Sequence, residues 1–385
     1  MNGYNDYANR LPTDKDLLVC LFQRGAADGL NSLVPYTDPE YYSQRPNIAV
    51  PEPGAQGGAI DLDGRFALHS ALAPLKAIYD SGQLALVHAT GIPHNSRSHF
   101  VAQDIVERGV SAKPLPSSGW LGRHLSLDPV SNGSAFRIVS ISGNVQVSLH
   151  GASEPLAISN LSEFGFSQEI IDSGYTQVLG NLFDDQIPLA VPAQAALSAL
   201  TELQAAELEN ILPEHGAHYP NSELGKKMQQ TAQLIKSNLP VEVICIDAGG
   251  WDHHENLPGN LQQSLTDLAD SLSAFHTDMA DLMQRISLFV MTEFGRRVAE
   301  NASVGTDHGT GGVAYAMGGG VNGGQVITDW PGLSTADLHF GEDLAITTDL
   351  RTLLAELLNK RLGGTDLAQV FPGFAGPTTA NLFLD

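Results

Sequence analysis

Four short stretches of this chain set carboxylates, imidazoles and hydroxyls just beyond apolar runs. In an open sheet, strand ends deliver side chains to a common edge in that way. The densest stretch follows the apolar residues 241–246. It reads Asp247-Ala248-Gly249-Gly250-Trp251-Asp252-His253-His254-Glu255-Asn256. Oxygen and imidazole donors together suit zinc, manganese or iron better than calcium or magnesium. Asp252 and His254 share a face if the loop is extended, because alternate residues then point the same way. His253 then turns to solvent or to a second layer. Residues 286–291 form another apolar run, ending in Thr292-Glu293-Phe294-Gly295, and Thr306-Asp307-His308-Gly309 follows a loop later. Glu293, Asp307 and His308 thus offer a second set of metal ligands, unless they are solvated groups of a glycine-rich surface loop.

The other two stretches each allow two readings. After residues 17–22 comes Gln23-Arg24-Gly25-Ala26-Ala27-Asp28-Gly29-Leu30-Asn31. Asp28, set among small residues, can approach a cation, or it can cap a helix by accepting a backbone N–H. After residues 84–89 comes His94-Asn95-Ser96-Arg97-Ser98-His99-Phe100, leading into a helical pattern at 100–108. A hydroxyl at a helix start is placed to be a nucleophile beside free N–H groups that stabilise an anion, and Arg97 can grip anionic oxygens with two N–H bonds. The same Asn-Ser-x-Ser order is also a plain capping signal.

These residues need a scaffold that brings strand ends together. Apolar runs with strand character lie at 17–22, 84–89, 136–141, 241–246 and 286–291. Helical spacing appears at 68–79, 193–211, 222–239, 261–283 and 344–362. Strands alternating with helices imply parallel crossover units, hence a single α/β domain over residues 1–385, built as a three-layer helix-sheet-helix sandwich. Residues 131–190 break the rhythm with Gly, Ser and Asn and an alternating Val145-Gln146-Val147-Ser148-Leu149, predicting a small β-rich insertion or cap. Residues 35–66 predict a long loop, and Gly119-Trp120-Leu121-Gly122-Arg123 a packed turn. His69 and His88 read as structural histidines. The glycines at 311–312 and 318–320 allow close backbone approach but complete no phosphate-binding fingerprint.

Composition narrows the class. The chain has 42% apolar and only 16% charged residues, with 39 Gly and 21 Pro, which describes a globular, loop-rich protein. Its 43 Asp and Glu against 20 Lys and Arg give a net charge of −23. That field opposes nucleic acid and anionic membranes, and it repels an anionic substrate unless bound cations reverse it locally. No apolar stretch approaches the ~20 residues that span a bilayer. Cys20 and Cys245 sit inside apolar runs and read as core residues, not as a disulfide framework.

From about Leu17 to the last helix the sequence resembles the bacterial family catalogued as domain of unknown function 1501. That family is grouped with the alkaline phosphatase, sulfatase and cofactor-independent phosphoglycerate mutase superfamily. The resemblance rests on Arg24-Gly25-Ala26-Ala27-Asp28-Gly29-Leu30-Asn31, Ser96-Arg97-Ser98-His99-Phe100, Gly119-Trp120-Leu121-Gly122-Arg123, Gly249-Gly250-Trp251-Asp252-His253-His254, Thr292-Glu293-Phe294-Gly295-Arg296 and Gly320-Val321-Asn322-Gly323-Gly324-Gln325. It implies an alkaline-phosphatase-like fold, with Asp28 as the first-strand metal ligand and Ser98, or else Ser96, as nucleophile. Asp252 and His254 match the central ligand pair, Glu293 the strand-end acid and His308 the late histidine. It also implies a periplasmic or secreted protein; Met1-Asn2-Gly3-Tyr4-Asn5-Asp6 has no basic or apolar signal segment, which reads either as a cytoplasmic protein or as one whose leader has been removed.

Together these readings lead to a metal-dependent hydrolase of phosphate or sulfate esters, holding one or two ions of zinc, manganese or iron. Its substrate would be a small-molecule or glycan ester. Two alternatives stay open: a non-catalytic binding or assembly protein on the same fold, and a single-metal hydrolase or lyase acting on a polymer.

Overall fold

The run Leu17-Leu18-Val19-Cys20-Leu21-Phe22 is apolar at every position, and its alternate side chains enter different cores. Leu17, Val19 and Leu21 join one apolar cluster, while Leu18, Cys20 and Phe22 join another. A strand buried on both faces lies at the middle of a sheet covered by two layers. The computed structural model, which describes residues 16–127, 135–161, 199–203, 206–237 and 239–384, has that architecture.

In chain order the strands are β1 (Leu17–Gln23), β2 (Leu33–Val34), β3 (Ile60–Asp61), β4 (Ala67–Leu68), β5 (Leu84–Gly91), β6 (Ile138–Ile141), β7 (Leu156–Ala157), β8 (Val243–Ala248), β9 (Ile286–Thr292), β10 (Gly312–Gly318), β11 (Gln325–Ile327) and β12 (Thr348–Asp349). Nine of them form one sheet in the order β11-β5-β10-β9-β1-β8-β6-β7, with β12 also pairing β5. Central β1 is parallel to both neighbours, so Cys20 stands level with Cys245 of β8 and Phe289 of β9. Both cysteines are buried and free. β10 alone among the described strands of this sheet runs against the rest, antiparallel to β9 and β5. Its entering loop therefore arrives at the edge where the parallel strands end.

Helices Ala73–Asp80, Glu223–Lys236 and Leu257–Met279 cover one face, and His99–Arg108, Trp120–Leu127 and Leu350–Arg361 cover the other. Their ends follow capping chemistry. Ser222 accepts the Gly225 N–H and Asp349 the Arg351 N–H, both at 2.9 Å. The α/β helix-sheet-helix class expected from the sequence is the class observed. No helix among the described residues is long and apolar enough to cross a membrane.

Several local expectations change. The alternating residues 145–149 end in a 3-10 turn, Val147–Leu149, instead of a strand. The cause is an earlier segment packed against it. Gly119 and Gly122 belong to the start of helix Trp120–Leu127, which presses onto the carbonyls of residues 147–150, and a Cβ on Gly122 would lie 2.0 Å from the His150 oxygen. The reading of 119–123 as a turn is corrected accordingly. Within 131–190, the described strands β6 and β7 extend the main sheet, and 131–134 and 162–190 lie outside the described residues. Within the helical pattern at 193–211, residues 193–198 and 204–205 lie outside the described residues, while 199–203 are helical. The long loop 35–66 contains helix Pro39–Gln44 and β3, which with β2 and β4 makes a small three-stranded sheet.

Candidate metal centre

The stretches singled out by residue type all reach one edge of the sheet. β1 leads to Gly25 and Asp28, β5 to residues 94–99, β8 to Asp252 and His254, and β9 to Glu293, while the loop entering β10 supplies Asp307 and His308. Three imidazoles and one carboxylate meet there. His308 Nε2 is 3.0 Å from His99 Nε2 and 2.9 Å from His254 Nε2. An Asp252 oxygen lies 2.9 Å from His254 Nε2 and 3.3 Å from His308 Nε2, and its second oxygen is 3.3 Å from His99 Nε2. The ligand atoms of His99, Asp252 and His308 all fall within 4.8 Å of one another. The buried Phe294 ring packs 5.1 Å from both the His99 and His308 rings.

What lies behind each imidazole settles its tautomer. His308 Nδ1 is 2.6 Å from the Arg97 carbonyl, an acceptor only, so the proton is on Nδ1. His99 Nδ1 is 2.7 Å from Glu293 Oε1, and His254 Nδ1 is 3.3 Å from Asp307 Oδ1. In that tautomer the Nε2 atoms of His99 and His308 face the Asp252 carboxylate, and His254 Nε2 stands beside His308, outside the mutually close triad. Lone pairs about 3 Å apart repel unless a proton or cation lies between them. With Zn–N near 2.0–2.1 Å, tetrahedral ligands stand about 3.3–3.4 Å apart, close to the spacings among His99, Asp252 and His308. Carboxylates and carbonyls behind ligating histidines are a common way to hold such rings. The donor set fits one divalent ion of the zinc, manganese or iron type.

Charge supports this ionisation. Burial would raise the Glu293 carboxyl, but hydrogen bonds from Gln103, the backbone and His99 outweigh it and hold the carboxyl below its usual range. Burial opposes the Asp252 charge as well, yet the Arg296 guanidinium at 2.5 Å brings its pKa down. Burial lowers the His308 pKa and favours the neutral ring.

Arg296 ties the loops together. Its guanidinium donates to the carbonyls of Gly25, Ala26, Trp251 and Thr306 as well as to Asp252. The chain must come close for this. Gly25 has φ +120°, and a Cβ there would lie 2.7 Å from the Asp252 nitrogen.

The expected site residues therefore divide into groups. Asp252, His254 and His308 converge. Glu293 and Asp307 sit one step out, holding His99 and His254. Asp28 is 1% exposed, caps helix Gly29–Ser32 through the Asn31 N–H, and pairs with the buried Arg45 at 2.8 Å. Its capping reading describes what the side chain does. Arg97 is not free to grip an anion: it forms a two-pronged pair with Asp343, at 2.7 and 3.2 Å, and bonds the His308 carbonyl. Ser96 Oγ accepts the Ser98 N–H at 3.2 Å, and the exposed Ser98 hydroxyl makes no hydrogen bond among the described residues. His99 was absent from the expected ligands. Its sequence signal, a histidine in the run after β5, was shared with His94, and only the fold separates them.

The model of the family described as "Protein of unknown function (DUF1501)" matches residues 81–373. The chain belongs to that family. The DUF1501 match takes in β5 through β12 and every residue of the four-ligand cluster, and leaves β1 and Asp28 outside. No curated protein matches the sequence. Among solved structures, the chain is similar to the lipoteichoic acid synthase LtaP from Listeria monocytogenes, with 9% identity and a TM-score of 0.34, over 81% of this chain and 67% of that one. A likeness so distant decides nothing about chemistry.

Proposed function

We propose that this protein is a metal-dependent hydrolase of phosphate or sulfate esters, acting at the His99-Asp252-His254-His308 centre with one ion. The observation that carries the reading is the mutual approach of His99, His308 and the Asp252 carboxylate, with His254 beside them and each ring held from behind. A divalent ion bound there supplies Lewis acidity toward an ester oxygen and lowers the pKa of a neighbouring hydroxyl.

The chain's own residues supply the rest. Asp252, His254 and Asp307 have side chains about half exposed, so substrate enters from their side. Ser98 adjoins His99 at the start of a ten-residue helix, with an uncommitted hydroxyl, and we assign it the nucleophile's role ahead of Ser96. Its Oγ bonds to phosphorus or sulfur, and the ester oxygen leaves with the hydroxyl proton as an alcohol. Water then cleaves the enzyme ester and restores the serine.

The test is elemental analysis of dialysed protein together with a screen of aryl phosphate and sulfate esters. The reading expects about one equivalent of zinc, manganese or iron per chain. It also expects hydrolysis that Ser98→Ala abolishes without changing metal content. No bound metal after soaking in excess ion would sink it, and unchanged turnover in Ser98→Ala would remove that serine.

A further inference from the structure

The fixed charges around the centre limit the charge of what it can receive. Three carboxylates contact its imidazoles: Asp252 on His99, His254 and His308, Glu293 on His99, and Asp307 on His254. Against them stands one guanidinium in contact with a ligand side chain, that of Arg296, with its N–H groups directed to four carbonyls and Asp252. Arg97 lies next in the chain to Ser98, but Asp343 holds it in two-pronged contact and Glu342 stands 3.7 Å away. Arg24, Arg45 and Arg297 are likewise paired, with Glu107 and Asp247, with Asp28, and with Glu342.

With the three rings neutral, the side chains in contact with the centre sum to two negative charges. One divalent ion brings that sum to zero. No surplus positive charge then remains for a dianion, and the net −23 of the chain adds to the opposition.

Resting on the ester-hydrolase reading above, we propose that the centre selects monoanionic tetrahedral esters, and that it discriminates against phosphate monoester dianions. Sulfate monoesters and phosphodiesters share that chemistry. A second negative charge on the ligand leaves water with no countercharge to meet it, and that desolvation weakens binding by about tenfold or more.

Binding tests the proposal independently of turnover. Metal-loaded protein is titrated by calorimetry at about pH 8.5, above the second ionisation of a phosphate group near 6. The probes are phenylphosphonate, a dianion, and its monoethyl ester, a monoanion of nearly the same shape. The expected result is at least tenfold tighter binding of the monoester anion. Asp307→Asn keeps an oxygen acceptor for His254 Nδ1 but removes one negative charge, and its half-exposed position makes misfolding a small risk. It should narrow the preference by about tenfold.

A turnover comparison of 4-nitrophenyl sulfate, bis(4-nitrophenyl) phosphate and 4-nitrophenyl phosphate then tells the two monoanionic classes apart. Equal or tighter binding of the dianion to metal-loaded protein overturns the charge selection and leaves the hydrolase reading standing. Binding of neither probe, or failure to load metal, overturns both.

Discussion

His308 Nδ1 lies 2.6 Å from the Arg97 carbonyl, and the Arg97 guanidinium returns a hydrogen bond to the His308 carbonyl. The two residues are more than 200 positions apart in the chain, yet they clamp the loop after β5 to the loop before β10. One half of the clamp fixes a tautomer, and the other fixes the backbone that carries it. Arg97 so becomes a brace, with the fully buried Asp343 carboxylate as its anchor.

A brace and an anion clamp fail differently. Arg97→Met leaves Asp343 without its partner and should cost about 2–4 kcal/mol of stability, reduced from the fully buried case because Arg97 is partly exposed. Thermal unfolding without ligand measures it. An unchanged midpoint together with a raised KM would instead make Arg97 a substrate contact.

Glu293 acts through His99. Glu293→Gln removes the charge that favours Nδ1–H on that ring, and should weaken metal affinity about 10–100-fold. Competition with a chromophoric chelator reads the change. Affinity within twofold of wild type would mean that His99 does not need the carboxylate.

Asp28 and Arg45 make a structural pair in this fold. Arg45→Met strands a buried carboxylate and should cost about 3–5 kcal/mol, whereas Asp28→Asn combined with Arg45→Met should recover much of that loss. The double variant should still bind one metal equivalent. Loss of metal from it would return Asp28 to the ligand set.

Burial holds the His88 pKa down at about 3, while its Nε2–H donates to the Leu33 carbonyl and its Nδ1 accepts the Ala89 N–H. A folded pKa below the unfolded value near 6.5 contributes stability that is fully present above about pH 6.5 and is lost as pH falls toward 3, at up to about 1.4 kcal/mol per pH unit. His88→Phe, packed by Phe66 and Trp330, should be less stable at pH 7.5 but show a flatter decline. Equal slopes of denaturation midpoint against pH for the two proteins would remove His88 as the source.

The sequence by itself determined the layers and the edge. Unbroken apolar runs at β1, β5, β8 and β9 read as buried strands because they are hydrophobic on both faces, and polar clusters after them marked where ligands gather. β10 was harder to see, since Gly312-Val313-Ala314-Tyr315-Ala316-Met317-Gly318 is a short run in which alanines alternate with larger residues, bounded by glycines that read as loop. Its reversed direction, which carries His308 to the centre, is a property of pairing and not of composition.

The roles within the clusters belonged to the tertiary structure. A carboxylate next to a strand end has the same local signature whether it faces an ion, an imidazole or an arginine. Partners hundreds of residues away decide among these: Arg45 engages Asp28, His99 engages Glu293, and Arg296 with three histidines surrounds Asp252. Local spacing specifies which chemistry is available, and long-range packing specifies which of those groups meet.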